Sequence, residues 1–102
     1  MAETVDPKDP NATNRFGWDL TAICIQAEAT LTNATVIEVD SSDVAVAVST
    51  VTITGLAFTS DGVVTALVGG GTVGTSVYLR CRYTLSNGET DDRTLKVRIA
   101  HQ

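Results

Sequence analysis

Apolar and polar residues take turns, one by one, through the last quarter of the chain. Val77, Leu79, Cys81, Tyr83 and Leu85 alternate with Tyr78, Arg80, Arg82 and Thr84; further on, Leu95, Val97 and Ile99 alternate with Lys96 and Arg98. A period of two predicts strands with one buried and one solvated face. Between the arms lies Ser86-Asn87-Gly88-Glu89. Asn-Gly supplies the positive φ angles of a two-residue type I′ turn, so residues Ser76 to Ala100 are predicted to form one long hairpin.

The same reading continues upstream. Phe16, Trp18 and Leu20 alternate with Gly17, Asp19 and Thr21, which predicts a first strand region over Arg15 to Ile25. Ala29–Thr32 and Thr35–Val39 read as two short strands around Asn33, followed by a turn cluster at Asp40-Ser41-Ser42-Asp43. From Val44 to Thr54 the chain is rich in β-branched residues, but Val44, Val46 and Val48 are out of phase with Val51 and Ile53. That shift predicts a bulge or break near Ser49-Thr50. Leu56 and Phe58 extend the alternation, Asp61-Gly62 marks a turn, and Val63 to Val68 is a short strand. No helical period with caps is read anywhere. About seven short strands with turns between them predict an all-β sandwich over residues 15–102. Residues 1–14 are polar, contain Pro7 and Pro10, and read as an extended N-terminal arm.

Composition narrows the function classes. Aromatic residues make up 5% of the 102, so the core is a lean aliphatic one. The net charge of −5 argues against nucleic acid and anionic membranes as partners. It is also unevenly spread. Up to Leu79 the only bases are Lys8 and Arg15, against nine acids, whereas from Arg80 onward five bases face three acids. No apolar run approaches the roughly 20 residues of a membrane span. The acidic Met1-Ala2-Glu3 start does not read as a secretory signal, so folding in a cytoplasm is expected, with Cys24 and Cys81 as two buried thiols.

Chemistry-bearing constellations are scarce. Gly69-Gly70-Gly71 lacks the helix start or Lys-Ser/Thr of a phosphate loop and reads as a turn between strands. His101 is the single histidine, the cysteines lack zinc spacing, and Asp40-Ser41-Ser42-Asp43 has too few ligands for a dedicated calcium loop. No cofactor, metal site or catalytic group is expected, and the chain does not read as an enzyme. One feature carries functional weight. Arg80, Arg82, Lys96 and Arg98 should project from one face of the hairpin as a basic ladder, able to dock an acidic surface such as a second copy of the chain.

Several motifs together resemble a known family. These are Lys8-Asp9-Pro10, the aromatic first strand with Trp18-Asp19, the stretch Gly70-Gly71-Thr72-Val73-Gly74-Thr75, and a last hairpin. The hairpin reads Arg82-Tyr83-Thr84, then Gly88-Glu89-Thr90-Asp91-Asp92-Arg93-Thr94, then Val97-Arg98-Ile99. They are similar to the small immunoglobulin-like virion proteins of tailed bacteriophages, of the fibre–tail adaptor type. The stretch from Ala27 to Ser60 departs from the family pattern, and strand order there stays open. The resemblance implies an immunoglobulin-like Greek-key sandwich and a multi-copy structural role in the virion. Its partners would be other virion proteins (tail, fibre or capsid) and other copies of itself. The resemblance transfers no binding residues; from the residues themselves, contact is expected through the arm with Pro7 and Pro10, the basic ladder and an edge strand. The alternatives are a capsid decoration protein and, in another class, a carbohydrate-binding or adhesion module using Trp18, Tyr78 or Phe58.

Overall fold

The fold is that of a computed structural model, which describes residues 3–4 and 8–100. Seven strands are present among them: β1 (Glu3–Thr4), β2 (Thr13–Asp19), β3 (Leu31–Val39), β4 (Val51–Phe58), β5 (Val63–Gly70), β6 (Ser76–Leu85) and β7 (Thr90–Arg98). One sheet runs β1-β7-β6-β3 and the other β2-β5-β4. All pairings are antiparallel except that of β1 with β7. The inner faces of both sheets meet in one core that includes Val64, Ala66 and Val68 from β5 and Leu79, Cys81, Leu95 and Val97 from the hairpin. Leu79, Val97 and Ile99 are fully buried, as the alternation predicts. Each such aliphatic side chain contributes roughly 1.5–3 kcal/mol on burial.

The Ser76–Ala100 hairpin forms, but its turn differs from the predicted one. Leu85 N–H donates to Glu89 O and Gly88 N–H to Leu85 O, so three residues, Ser86 to Gly88, close the loop. Gly88 has φ 91°, while Asn87 is not among the residues of positive φ. This is a type I turn closed by a glycine bulge. The reason is parity. A two-residue loop would pair Leu79 with Lys96 and place core against solvent, whereas the three-residue loop pairs Leu79 with Leu95 and Val77 with Val97.

The first strand region also differs. β2 ends at Asp19, and Thr21–Ala27 is a helix, α1. The Asp19 carboxylate accepts from Thr21 N–H at 3.1 Å and from Thr21 Oγ1 at 2.7 Å, turning the chain out of the strand. Leu20 N–H donates to Gly62 O at 2.7 Å. Cys24 faces the core and Ile23 and Ala27 pack against it, while Ile25 is 77% exposed. Leu20, Cys24 and Ala27 are thus spaced for a helix face, which the alternation of Ile23 and Ile25 concealed. Glu28 ends the helix in the left-handed region.

Two further readings change. Ala29–Thr32 and Thr35–Val39 are not two strands; β3 is continuous, with a register shift between Leu31 and Asn33. Val44 to Val48 is not a strand; it belongs to a loop whose one ladder contact is the Val39–Ala45 bridge. The break at Ser49-Thr50 is present, because β4 begins at Val51. Buried Glu38 fixes this crossing between sheets. Its carboxylate accepts from Thr50 N–H at 2.7 Å, Ser49 Oγ at 2.9 Å and Thr50 Oγ1 at 3.0 Å.

Candidate interaction face

The outer face of the hairpin sheet is built in cross-strand rows. Arg82 lies opposite Asp92, Arg80 opposite Thr94, Tyr78 opposite Lys96 and Ser76 opposite Arg98. Residues in register share a face, so Arg80, Arg82, Lys96 and Arg98 do project from the same side. The tertiary structure divides them into two kinds. Arg82 makes a fork-to-fork pair with Asp92, Nε to Oδ1 at 2.8 Å and Nη2 to Oδ2 at 3.0 Å. The pair raises the arginine's pKa and holds the Asp92 carboxyl below its ordinary value.

Arg80 is engaged differently. Its guanidinium donates to Asp43 O at 3.0 Å and lies 3.6 Å from the Asp43 carboxylate. The side chain is only 13% exposed, and its buried Nε–H has no partner among the described residues. Arg80 therefore anchors the loop after β3. Asp40 shapes the same loop, since its Oδ1 accepts from Ser42 N–H at 2.8 Å and Val44 N–H at 3.1 Å. These acidic side chains are thus engaged by their own surroundings, which accounts for the Asp-Ser-Ser-Asp cluster without a ligand. Among the described residues the side chains of Lys96 and Arg98 make no hydrogen bond or ion pair, although the Arg98 carbonyl accepts from Lys8 N–H at 2.8 Å. Beside the ladder is an open cleft of about 490 Å³, lined by Asp40, Ser41, Asp43, Tyr78, Asp92 and Thr94 among others. The face is consequently of mixed charge rather than uniformly basic.

Pro7 lies outside the described residues. Pro10 sits in the turn Asp9 to Ala12, where Ala12 N–H donates to Asp9 O and Asn11 N–H to Asp9 Oδ1. Proline fits the second position of such a turn because its φ is already set. The residue that reasoning from sequence missed is its neighbour, Lys8. Its backbone bridges Ile99, and its side chain is 1% exposed, with Nζ donating to Asp9 O and Gly70 O, both at 2.7 Å. Burial lowers its pKa and Asp9 pulls it partway back. Lys8 thus ties the edge beyond β7 to the end of β5 in the opposite sheet. A lysine amid polar residues gives no periodic signal for such burial.

The glycine run is a structural turn. Gly71 N–H donates to Thr50 O, and a Cβ at Gly71 would lie 2.8 Å from Ile99 Cδ1. Trp18 is buried in the core, which removes it as a platform for sugar stacking. Cys24 and Cys81 are free and buried, as expected. Among the described residues no group of histidine, cysteine or acidic side chains is placed to hold a metal ion, and no helix is long and apolar enough to cross a membrane.

A family model described as the podophage GP4 fibre–tail adaptor protein gp77 matches residues 8–98. The chain belongs to this phage adaptor family. Neither the curated proteins nor the solved structures provide a further match. The matched span begins at Lys8 and ends at Arg98, so it takes in the lysine tie, both sheets and the mixed-charge face. The adaptor is a structural phage protein, and its family assigns it to the virion beside tail and fibre components.

Proposed function

We propose that this adaptor is a multi-copy, non-enzymatic connector that holds fibre to tail. The family match over residues 8–98 carries the reading. The hairpin face adds a means of attachment. Arg80 and Arg82 each pair with an aspartate within the fold, whereas the side chains of Lys96 and Arg98 offer cations to an acidic neighbour. That neighbour includes the acidic part of a second copy. The strand arrangement supports an immunoglobulin-like Greek key as well. With β2 to β7 lettered B to G, the sheets contain B-E-D and C-F-G as in that fold, with the short β1 added beside G rather than beside B. Folding in the host cytoplasm before assembly fits the two free, buried thiols.

The test is genetic and compositional. Particles lacking the adaptor should carry tails without fibres. Wild-type protein should restore the fibres, and Lys96→Glu/Arg98→Glu should restore them poorly, most visibly at raised salt. Quantitative mass spectrometry of purified virions should find about a dozen copies or fewer, the stoichiometry of a cyclic tail assembly. Fibres retained without the adaptor, or copies by the hundred in the capsid fraction, would instead mark it as a shell decoration protein.

A further inference from the structure

Four asparagines lie among the described residues: Asn11, Asn14, Asn33 and Asn87. An asparagine carboxamide can be attacked by the peptide nitrogen that follows it, and a side chain on the next residue hinders that ring closure. Asn11 and Asn33 precede alanine and Asn14 precedes arginine, whereas Asn87 precedes Gly88. Asn14 is also held in β2 opposite Val68, and Asn33 in β3 opposite Thr84. The ladder fixes the backbone of both in an extended form.

Asn87 differs in its surroundings as well. It lies in the three-residue loop Ser86 to Gly88 at the tip of the hairpin, and all three residues are exposed. Its Oδ1 accepts from Glu89 N–H at 3.0 Å. The ring closed by this bond contains the Gly88 peptide, so the carboxamide is folded back toward the nitrogen that would attack it. The same N–H is aimed at the oxygen on which negative charge develops as the attack proceeds. Gly88 brings no side chain, and nothing lies within 4 Å of the place a Cβ would occupy. One bond holds its nitrogen back: Gly88 N–H donates to Leu85 O at 2.9 Å. Opening a single exposed bond of this kind slows a reaction by about tenfold.

We infer that Asn87 is a site of spontaneous modification in the folded chain, converting through a succinimide to aspartate and isoaspartate. Hydroxide takes the Gly88 amide proton, and the nitrogen forms a bond to Asn87 Cγ. The Cγ–Nδ2 bond breaks, and the departing nitrogen takes a proton from water and leaves as ammonia. Water then opens the imide. Opening at Cγ leaves aspartate. Opening at the main-chain carbonyl leaves isoaspartate, which routes the chain through Cβ and Cγ and lengthens the loop by one carbon. Either product sets a new carboxylate beside Glu89, Asp91 and Asp92 and adds one negative charge to the chain's −5. The longer form also strains the Leu85–Glu89 closure, on which the odd loop and the pairing of Leu79 with Leu95 depend. In a particle outside its host the chain is not resynthesised, so the product accumulates with age. That consequence rests on the virion assignment; the reaction itself does not.

Peptide mapping by mass spectrometry tests it, on the purified chain kept folded at mildly alkaline pH. Asn87 is expected to exchange its amide for a carboxyl while Asn11, Asn14 and Asn33 stay intact. The folded rate should be about a tenth of that of the same chain unfolded in urea. Asn87→Gln needs a larger ring and should show no conversion over the same period. Gly88→Ala should slow conversion even in urea, where its effect on the fold plays no part. A folded rate below about a thousandth of the unfolded one, which marks reaction through global unfolding alone, overturns the inference. So does conversion of Asn11, Asn14 or Asn33 as fast as that of Asn87. Neither result would alter the outcome of the genetic test above.

Discussion

Gly62→Ala should unfold much of this protein's margin of stability. Gly62 is buried in the β4–β5 turn with φ 116°, a conformation that costs an L-residue about 1–3 kcal/mol. A Cβ there would also lie 2.9 Å from both the carbonyl carbon and oxygen of Leu20 and 3.0 Å from Cys24 Sγ. Leu20 cannot retreat freely, because its N–H donates to Gly62 O at 2.7 Å. Crowding a packed site adds about 1–3 kcal/mol. The sum is about 4 kcal/mol, a large share of the roughly 5–15 kcal/mol expected for a domain of this size. Gly88→Ala is the matched control. It has φ 91° and nothing within 4 Å of the new Cβ, so it carries the conformational cost alone. Urea unfolding should place the Gly62→Ala midpoint lower by about 2 M, and well below that of Gly88→Ala, at an unchanged slope. If the two variants lost equal stability, the close packing of α1 against this turn would be refuted.

Two further predictions concern buried titratable groups. Lys8→Met keeps the apolar stem but leaves the Asp9 and Gly70 carbonyls without the ammonium, and should cost about 2 kcal/mol in the same unfolding assay; a stabilised variant would show that burying the charge outweighs its bonds. Burial and nearby Asp92 raise the Cys81 thiol from 9.0 to about 11. A raised acid stays protonated in the fold while the unfolded chain ionises, so its stabilising share is intact below pH 9 and is lost as pH climbs toward 11, by up to about 3 kcal/mol. Tyr83, also raised, acts in the same direction, and Lys8, whose pKa is lowered, acts in the opposite one. The difference between wild type and Cys81→Ala isolates the thiol; identical alkaline slopes in the two would remove Cys81 from the balance.

Strand identity was legible wherever a single chain segment alternates across the core boundary. β5, β6 and β7 appear where the pattern puts them, because the period of side chains along a strand is a local property. The common face of Arg80, Arg82, Lys96 and Arg98 follows from the same parity. The turn was legible too, in principle: Leu79 and Leu95 can share a face only across an odd-numbered loop, and that constraint overrides the Asn-Gly preference.

What alternation cannot reveal is which neighbour a residue meets. Ile23 and Ile25 mimic a strand until Gly62 O takes the Leu20 N–H and Cys24 turns inward as part of a helix. Val44 to Val48 has the composition of a strand but adds no strand to the sheets, and is held instead by Glu38, Arg80 and the Val39–Ala45 bridge. Arg82 is neutralised by a residue ten positions away, and Lys8 is buried by a carbonyl sixty-two positions away. Local pattern establishes which way side chains point, but the free energy of a charge or an open backbone edge depends on groups that arrive from distant parts of the chain.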